Sequence, residues 1–147
     1  MKHIHFDTES DGFYGAYWEC RGGSDCTVIA MLGDDPEDYM ARSAVKWLLR
    51  LGVNVLTMSP AKKDYSHHNY PLECIEKAIA WLKSHGSAKI GIAGASTTGT
   101  LALTAASIFD DISLTVAMTP SDFVWQGFMQ GKKDGCKGWP VPGTSTL

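Results

Sequence analysis

Ile90-Gly91-Ile92-Ala93-Gly94-Ala95-Ser96-Thr97-Thr98-Gly99-Thr100-Leu101 decides the reading of this chain. An apolar strand runs into a turn made of small residues, and a helix leaves the turn at once. Ser96 falls at the tip, where a sharp and strained backbone would present its hydroxyl above the sheet edge. Gly94 suits the close approach of strand to helix. The start of the helix offers backbone N–H groups and a positive dipole end, so the Thr97 N–H is placed to stabilise an oxyanion as Ser96 attacks a carbonyl. The pattern G-x-S-x-G asks for glycine at 98. The chain has Thr98 there, with Gly99 one step on, and a β-branched residue at that point crowds the turn. Other readings of the segment fit less well. A phosphate loop needs lysine where Thr100 stands, and a dinucleotide turn needs glycine where Ser96 stands. A plain glycine-rich turn carrying a surface serine is the bland alternative.

Upstream, the pattern alternates strands with helices. Lys2–Phe6 and Phe13–Cys20 read as strands separated by Ser10-Asp11-Gly12, and Arg21-Gly22-Gly23-Ser24-Asp25 reads as a hairpin turn into the apolar run Cys26–Leu32. A helix follows, with Asp35 as its cap and Pro36 in its first position; Met40, Ala44, Val45, Trp47, Leu48 and Leu51 recur at helical spacing, and Gly52 stops it. Val53–Met58 is a buried strand, Pro71 opens a second helix ending near His85-Gly86, and Lys89–Ala95 is the strand before Ser96. The helix Thr97–Phe109, apolar almost all round, predicts deep burial, and Ile112–Met118 is the sixth strand. The expected fold class is α/β, a mostly parallel sheet with helices on both faces, led by an antiparallel hairpin. Residues 119–147 hold prolines and glycines with no periodic segment, and read as a lid-like tail leading to a further part of the domain.

Composition narrows the partners. The 147 residues form one domain's length, and thirteen Lys+Arg against sixteen Asp+Glu give a formal net charge of -3. With no basic run, nucleic acid and anionic membranes are poor candidates. No apolar run reaches the roughly 20 residues of a membrane helix, and the first residues carry no secretory core, so a cytoplasmic location is expected, removal of a leader being the alternative. The four cysteines, Cys20, Cys26, Cys74 and Cys136, form no C-x-x-C pair and read as reduced thiols, a Cys20–Cys26 bridge being the alternative. Asp34 and Asp35 suit helix capping rather than a metal, so neither metal nor cofactor is expected.

The element order resembles the α/β-hydrolase fold. More narrowly, the chain resembles the catalytic domain shared by acyl-CoA thioesterases and bile-acid-CoA:amino-acid N-acyltransferases. The resemblance is carried by Leu32-Gly33 with its following helix, by Tyr70–Leu82, by Ile90–Leu103 and by Trp139–Leu147. It implies Ser96 as nucleophile, with the backbone N–H groups of Thr97 and Asp34 as the oxyanion hole. In that family a serine goes with hydrolysis and a cysteine with transfer to an amino acid, so a hydrolase acting on a small-molecule acyl thioester or ester is expected. A carboxylesterase or dienelactone-hydrolase-like enzyme is the runner-up, and a catalytically inactive binding module is the alternative from another class.

A serine nucleophile needs a base and an orienting acid, in the chain order Ser, Asp/Glu, His. All five histidines, His3, His5, His67, His68 and His85, precede Ser96. His67 and His68 lie on the loop after the Val53–Met58 strand, at the edge where Ser96 would emerge, although a solvated loop accounts for them. The expectation is that the chain is truncated after the sixth strand, with the triad acid and histidine in a complementary C-terminal segment that would also act as its partner. Phe123, Trp125, Phe128, Met129 and Trp139 are candidates to line an acyl pocket, or to pack that segment against the sheet.

Overall fold

The computed structural model describes residues 3–59 and 70–122. The elements run β1 (His3–Phe6), β2 (Gly15–Trp18), β3 (Cys26–Met31), α1 (Tyr39–Arg50), β4 (Asn54–Met58), α2 (Glu73–Ser84), β5 (Lys89–Ala95), α3 (Thr97–Ile108) and β6 (Ile112–Met118). They build one six-stranded sheet in the order β1-β2-β4-β3-β5-β6. β1 and β2 form the leading antiparallel hairpin, β2 joins β4 antiparallel, and β4, β3, β5 and β6 run parallel.

Residues alternate across the central strands and so feed two cores. Ile29, Met31, Leu56 and Met58 point to the larger one, where they meet Ile75, Ile79 and Leu82 of α2 and Leu101 and Ala105 of α3. Ala30 and Val55 point the other way, to Val45 and Leu48 of α1. Helices therefore cover both faces, as the alternating pattern predicts.

Four local expectations are corrected. The turn at Arg21–Asp25 does not close a hairpin, because β3 pairs with β4 and β5 while β2 pairs with β4. The buried Asn54, at the start of β4, holds the connection across that gap. Its Oδ1 accepts the Cys20 N–H at 3.0 Å and its Nδ2 donates to the Ser24 carbonyl at 2.8 Å. Second, α1 is capped by Asp38 rather than Asp35. The Asp38 carboxylate accepts the Ala41 N–H at 2.8 Å, while Asp35 accepts the Tyr14 hydroxyl and the Glu37 N–H, both at 2.9 Å. Third, Met40, Trp47 and Leu51 are exposed, and the buried stripe of α1 is Ala41, Val45 and Leu48. Fourth, α3 is buried through its first turn and along one side only, since Leu103 is exposed. Cys20, Cys26 and Cys74 are free thiols, so the alternative Cys20–Cys26 bridge is not formed. Among the described residues no helix is long and apolar enough to cross a membrane.

Among the described residues, the α1 side of the sheet is covered only in part. Met40, Ala44, Trp47 and Leu51, a second apolar stripe at helical spacing, face a cleft of about 780 Å³ whose opposite wall carries Leu114, Val116 and Met118 of β6. Those three β6 side chains are all exposed.

Candidate active site

Strand β5 ends at Ala95 and α3 begins at Thr97, so a single residue makes the turn. That residue, Ser96, has φ 53° and ψ -121°. A non-glycine residue at positive φ costs on the order of 1–3 kcal/mol and persists only where its surroundings over-determine it. Here the surroundings do so. The Ser96 N–H donates to the Met118 carbonyl at 2.9 Å, and the Ser96 carbonyl accepts the Thr100 N–H at 3.1 Å. The side chain makes no capping bond to the helix it precedes, and Ser96 is exposed at the carboxyl edge of the parallel strands.

Close approach explains the small residues. A Cβ on Gly94 would run into the backbone carbonyl of Thr98, and a Cβ on Gly99 would sit 3.0 Å from the Met118 carbonyl. Thr98 does not disrupt the turn. It is buried, and its hydroxyl donates to the Met31 carbonyl at 2.6 Å while accepting the Ala95 N–H at 3.0 Å. This hydroxyl ties three segments together: the end of β3, the end of β5 and the first turn of α3. A glycine at 98 would forgo that link, and the crowding expected of a β-branched residue is absorbed by these hydrogen bonds.

Of the two expected oxyanion donors, Thr97 opens α3, where its N–H has no partner within the helix. The Asp34 N–H, just past β3, donates to the Asp38 carboxylate at 2.8 Å. The same carboxylate lies against Gly33, where an added Cβ would meet it at 2.5 Å. The Asp34 carbonyl accepts the Ser59 hydroxyl at 2.6 Å, which pins this loop to the end of β4.

The described histidines lie away from Ser96. His85 caps the far end of α2, before β5 begins, with its ring stacked on Trp81 at 3.8 Å. His3 and His5 sit on β1, four strand positions from β5, roughly 19 Å at the usual spacing. Burial holds His3 below the usual histidine value, against the opposing pull of the Glu37 carboxylate. His67 and His68 lie outside the described residues, as do Phe123, Trp125, Phe128, Met129 and Trp139. Sequence reasoning missed the Asp38 contact to the Asp34 N–H, since it placed the cap three residues early. It also missed the role of the Thr98 hydroxyl, for which a side chain's rotamer and not its spacing is the signal.

The sequence of residues 70–144 matches the family model described as BAAT / acyl-CoA thioester hydrolase C terminal. The chain belongs to this family. The match contains α2, β5, the Ser96 turn, α3 and β6, the elements that form the site. No curated protein matches the chain. Among solved structures it is similar to an esterase from Pyrococcus furiosus, with TM-score 0.60 and 22% identity over 78% of this chain and 53% of that one. It is also similar to the α/β hydrolase GrgF from Penicillium sp. sh18, with TM-score 0.61 and 17% identity over 81% of this chain and 45% of the other. A third, Est1E from Butyrivibrio proteoclasticus, gives 0.59 and 17% over 82% and 51%. These likenesses establish an α/β-hydrolase fold for this member of the BAAT / acyl-CoA thioester hydrolase family, and the chain spans about half the length of the solved structures it matches.

Proposed function

We propose that this chain carries the nucleophile of a serine acyl hydrolase that cleaves a thioester, of the acyl-CoA type, or an ester. The observation that carries the reading is the strained and exposed Ser96 at the tip of the β5–α3 turn. The positive φ of a serine held there costs stability, whereas its hydroxyl gains access to a carbonyl above the sheet. In this reading Ser96 Oγ gives its proton to the base and attacks the acyl carbonyl, the C–S or C–O bond breaks, and the thiol or alcohol leaves with that proton. Water then hydrolyses the acyl-enzyme to the free acid and restores Ser96. The Thr97 N–H, at the positive end of α3, bonds the developing oxyanion. The Asp34 N–H joins it once the Asp38 carboxylate turns away, since a carboxylate at that donor competes with the oxyanion for the same proton.

The base and acid are supplied from outside the described residues. We infer that a complementary C-terminal segment provides them and packs along β6 and over the cleft. An apolar strand face and a second apolar helix stripe exposed together mark a surface that another element covers. Phe123, Trp125 and Phe128 are the residues proposed to line the acyl pocket.

Fluorophosphonate labelling tests the reading, with the protein carrying its full C-terminal part. Ser96 should become covalently modified and S96A should not. Release of free thiol from an acyl-CoA, set beside cleavage of a p-nitrophenyl ester, then separates a thioesterase from a carboxylesterase. A folded full-length protein in which Ser96 stays unlabelled and neither substrate turns over would favour the second reading, a binding module. The occupied Asp34 N–H is the observation on that side.

A further inference from the structure

A second cluster of donor side chains lies at the far edge of the sheet, four strand positions from β5 and the Ser96 turn. Strand alternation places His3 and His5 on the same face of the edge strand β1, while Phe6 points into the core. The connection from β3 to α1 then brings Glu37 between the two imidazoles, from 32 to 34 residues away in sequence. Glu37 Oε1 is 3.2 Å from His3 Nε2, and Oε2 is 3.2 Å from His5 Nδ1. The three ligand atoms all lie within 4.8 Å of one another.

Two of the three members, His3 and Glu37, are held from behind. The His3 ring stacks on Trp18 at 3.8 Å and 20°. The Glu37 backbone is fixed at both ends, its N–H donating to Asp35 Oδ1 at 2.9 Å and its carbonyl accepting Arg42 Nε at 2.7 Å. Arg42 Nη2 stands 3.8 Å from Glu37 Oε1 and is the competing cation. It is an exposed side chain with room to withdraw.

We propose that His3, His5 and Glu37 form a binding site for a divalent transition-metal ion, best suited to Zn²⁺, which fastens β1 to the β3–α1 connection. Two imidazole nitrogens and one carboxylate are the ligand types zinc prefers outside thiolate sites. Ligands about 2.0–2.1 Å from a tetrahedral ion stand roughly 3.4 Å apart. The two 3.2 Å contacts lie near that value but use different oxygens of Glu37, so side-chain rotation must draw one atom of each residue, now all within 4.8 Å of one another, onto the ion. His5 faces solvent, which leaves a fourth position for water. The ion would not act on the Ser96 chemistry directly. It would order the connection that carries Asp34 and Asp35, and it would tie down an edge strand only four residues long.

The test titrates Zn²⁺ into metal-free protein against a chromophoric chelator. One equivalent should bind, and His5→Ala and Glu37→Gln should each weaken it at least about 10-fold. His85→Ala should leave it unchanged. Thermal unfolding of the wild type should shift upward with Zn²⁺, and that of His5→Ala should not. A localisation on the wild type needs no variant: added Co²⁺ should shift or broaden the His3 and His5 imidazole NMR signals first. The proposal fails if no saturable binding occurs below about 100 μM, a weaker limit than structural zinc sites show. It fails equally if one equivalent binds with the same affinity in both variants, or if Co²⁺ reaches His67, His68 or the cysteines first.

Discussion

Replacing Thr98 by valine keeps the shape of the side chain and removes its hydroxyl. Two bonds are lost together, the buried donation to the Met31 carbonyl at 2.6 Å and the part-buried acceptance of the Ala95 N–H at 3.0 Å. Thr98 is 4% exposed and its bond to Met31 is buried, so water cannot replace the hydroxyl at the Met31 carbonyl. A buried group left unsatisfied costs about 1–3 kcal/mol, so T98V should destabilise by about 2–4 kcal/mol. In urea, with a slope typical of small domains, the midpoint should fall by about 1–2 M with no change in slope. T98S keeps the hydroxyl and loses one methyl, which limits its cost to about 1 kcal/mol. T98G, which restores the glycine of the G-x-S-x-G pattern, should be destabilising like T98V rather than beneficial. Equilibrium urea unfolding followed by far-UV circular dichroism decides the matter. If T98V loses less than about 0.5 kcal/mol, or if T98S loses more than T98V, the hydroxyl is not the link between β3, β5 and α3.

Ser96→Gly should raise stability by about 1 kcal/mol, visible as an upward shift in thermal midpoint, because glycine relieves the positive φ at this turn; an unchanged or lower midpoint would mean that the backbone carries no strain there. Gly99→Ala places a Cβ 3.0 Å from the Met118 carbonyl and should cost about 1–3 kcal/mol in the same denaturation assay. Asn54→Ala removes both side-chain bonds that span the β2–β3 connection and should cost about 2–3 kcal/mol, with hydrogen exchange at the Cys20 amide rising accordingly. Burial raises the Cys74 thiol above its usual value, so Cys74 should react with iodoacetamide at neutral pH more slowly than a free thiol and speed up on unfolding.

Much of this was legible without coordinates, and the reasons are local. Lys89–Ala95 and Ile112–Met118 appear at the predicted boundaries, because each is a short run rich in apolar and β-branched residues bounded by turn residues and too short for a helix of usual length. The Ser96 turn could be read because small residues on either side of a serine, between a strand and a helix, leave little else for the chain to do. The alternation of strands with helices fixed the parallel sheet, since parallel neighbours require crossovers. What sequence could not decide was which strand lies beside which, and which hydrogen bond each side chain chooses. The run Arg21–Asp25 fits a hairpin as well as it fits a step across β4, and only pairing with β4 and β5 selects the step. Asp34, Asp35 and Asp38 are equivalent as caps on paper, yet the position of Gly33 against α1 lets Asp38 alone reach both Ala41 and Asp34. Thr98 looked like a departure from a pattern, and the burial of its hydroxyl between three segments makes it a fastening. His3, His5 and Glu37 are unremarkable in one dimension, because no local rule brings residues more than thirty positions apart to a common point. Periodicity and turn chemistry act over a few residues and are written in the sequence, whereas convergence of distant side chains is a property of the packed sheet.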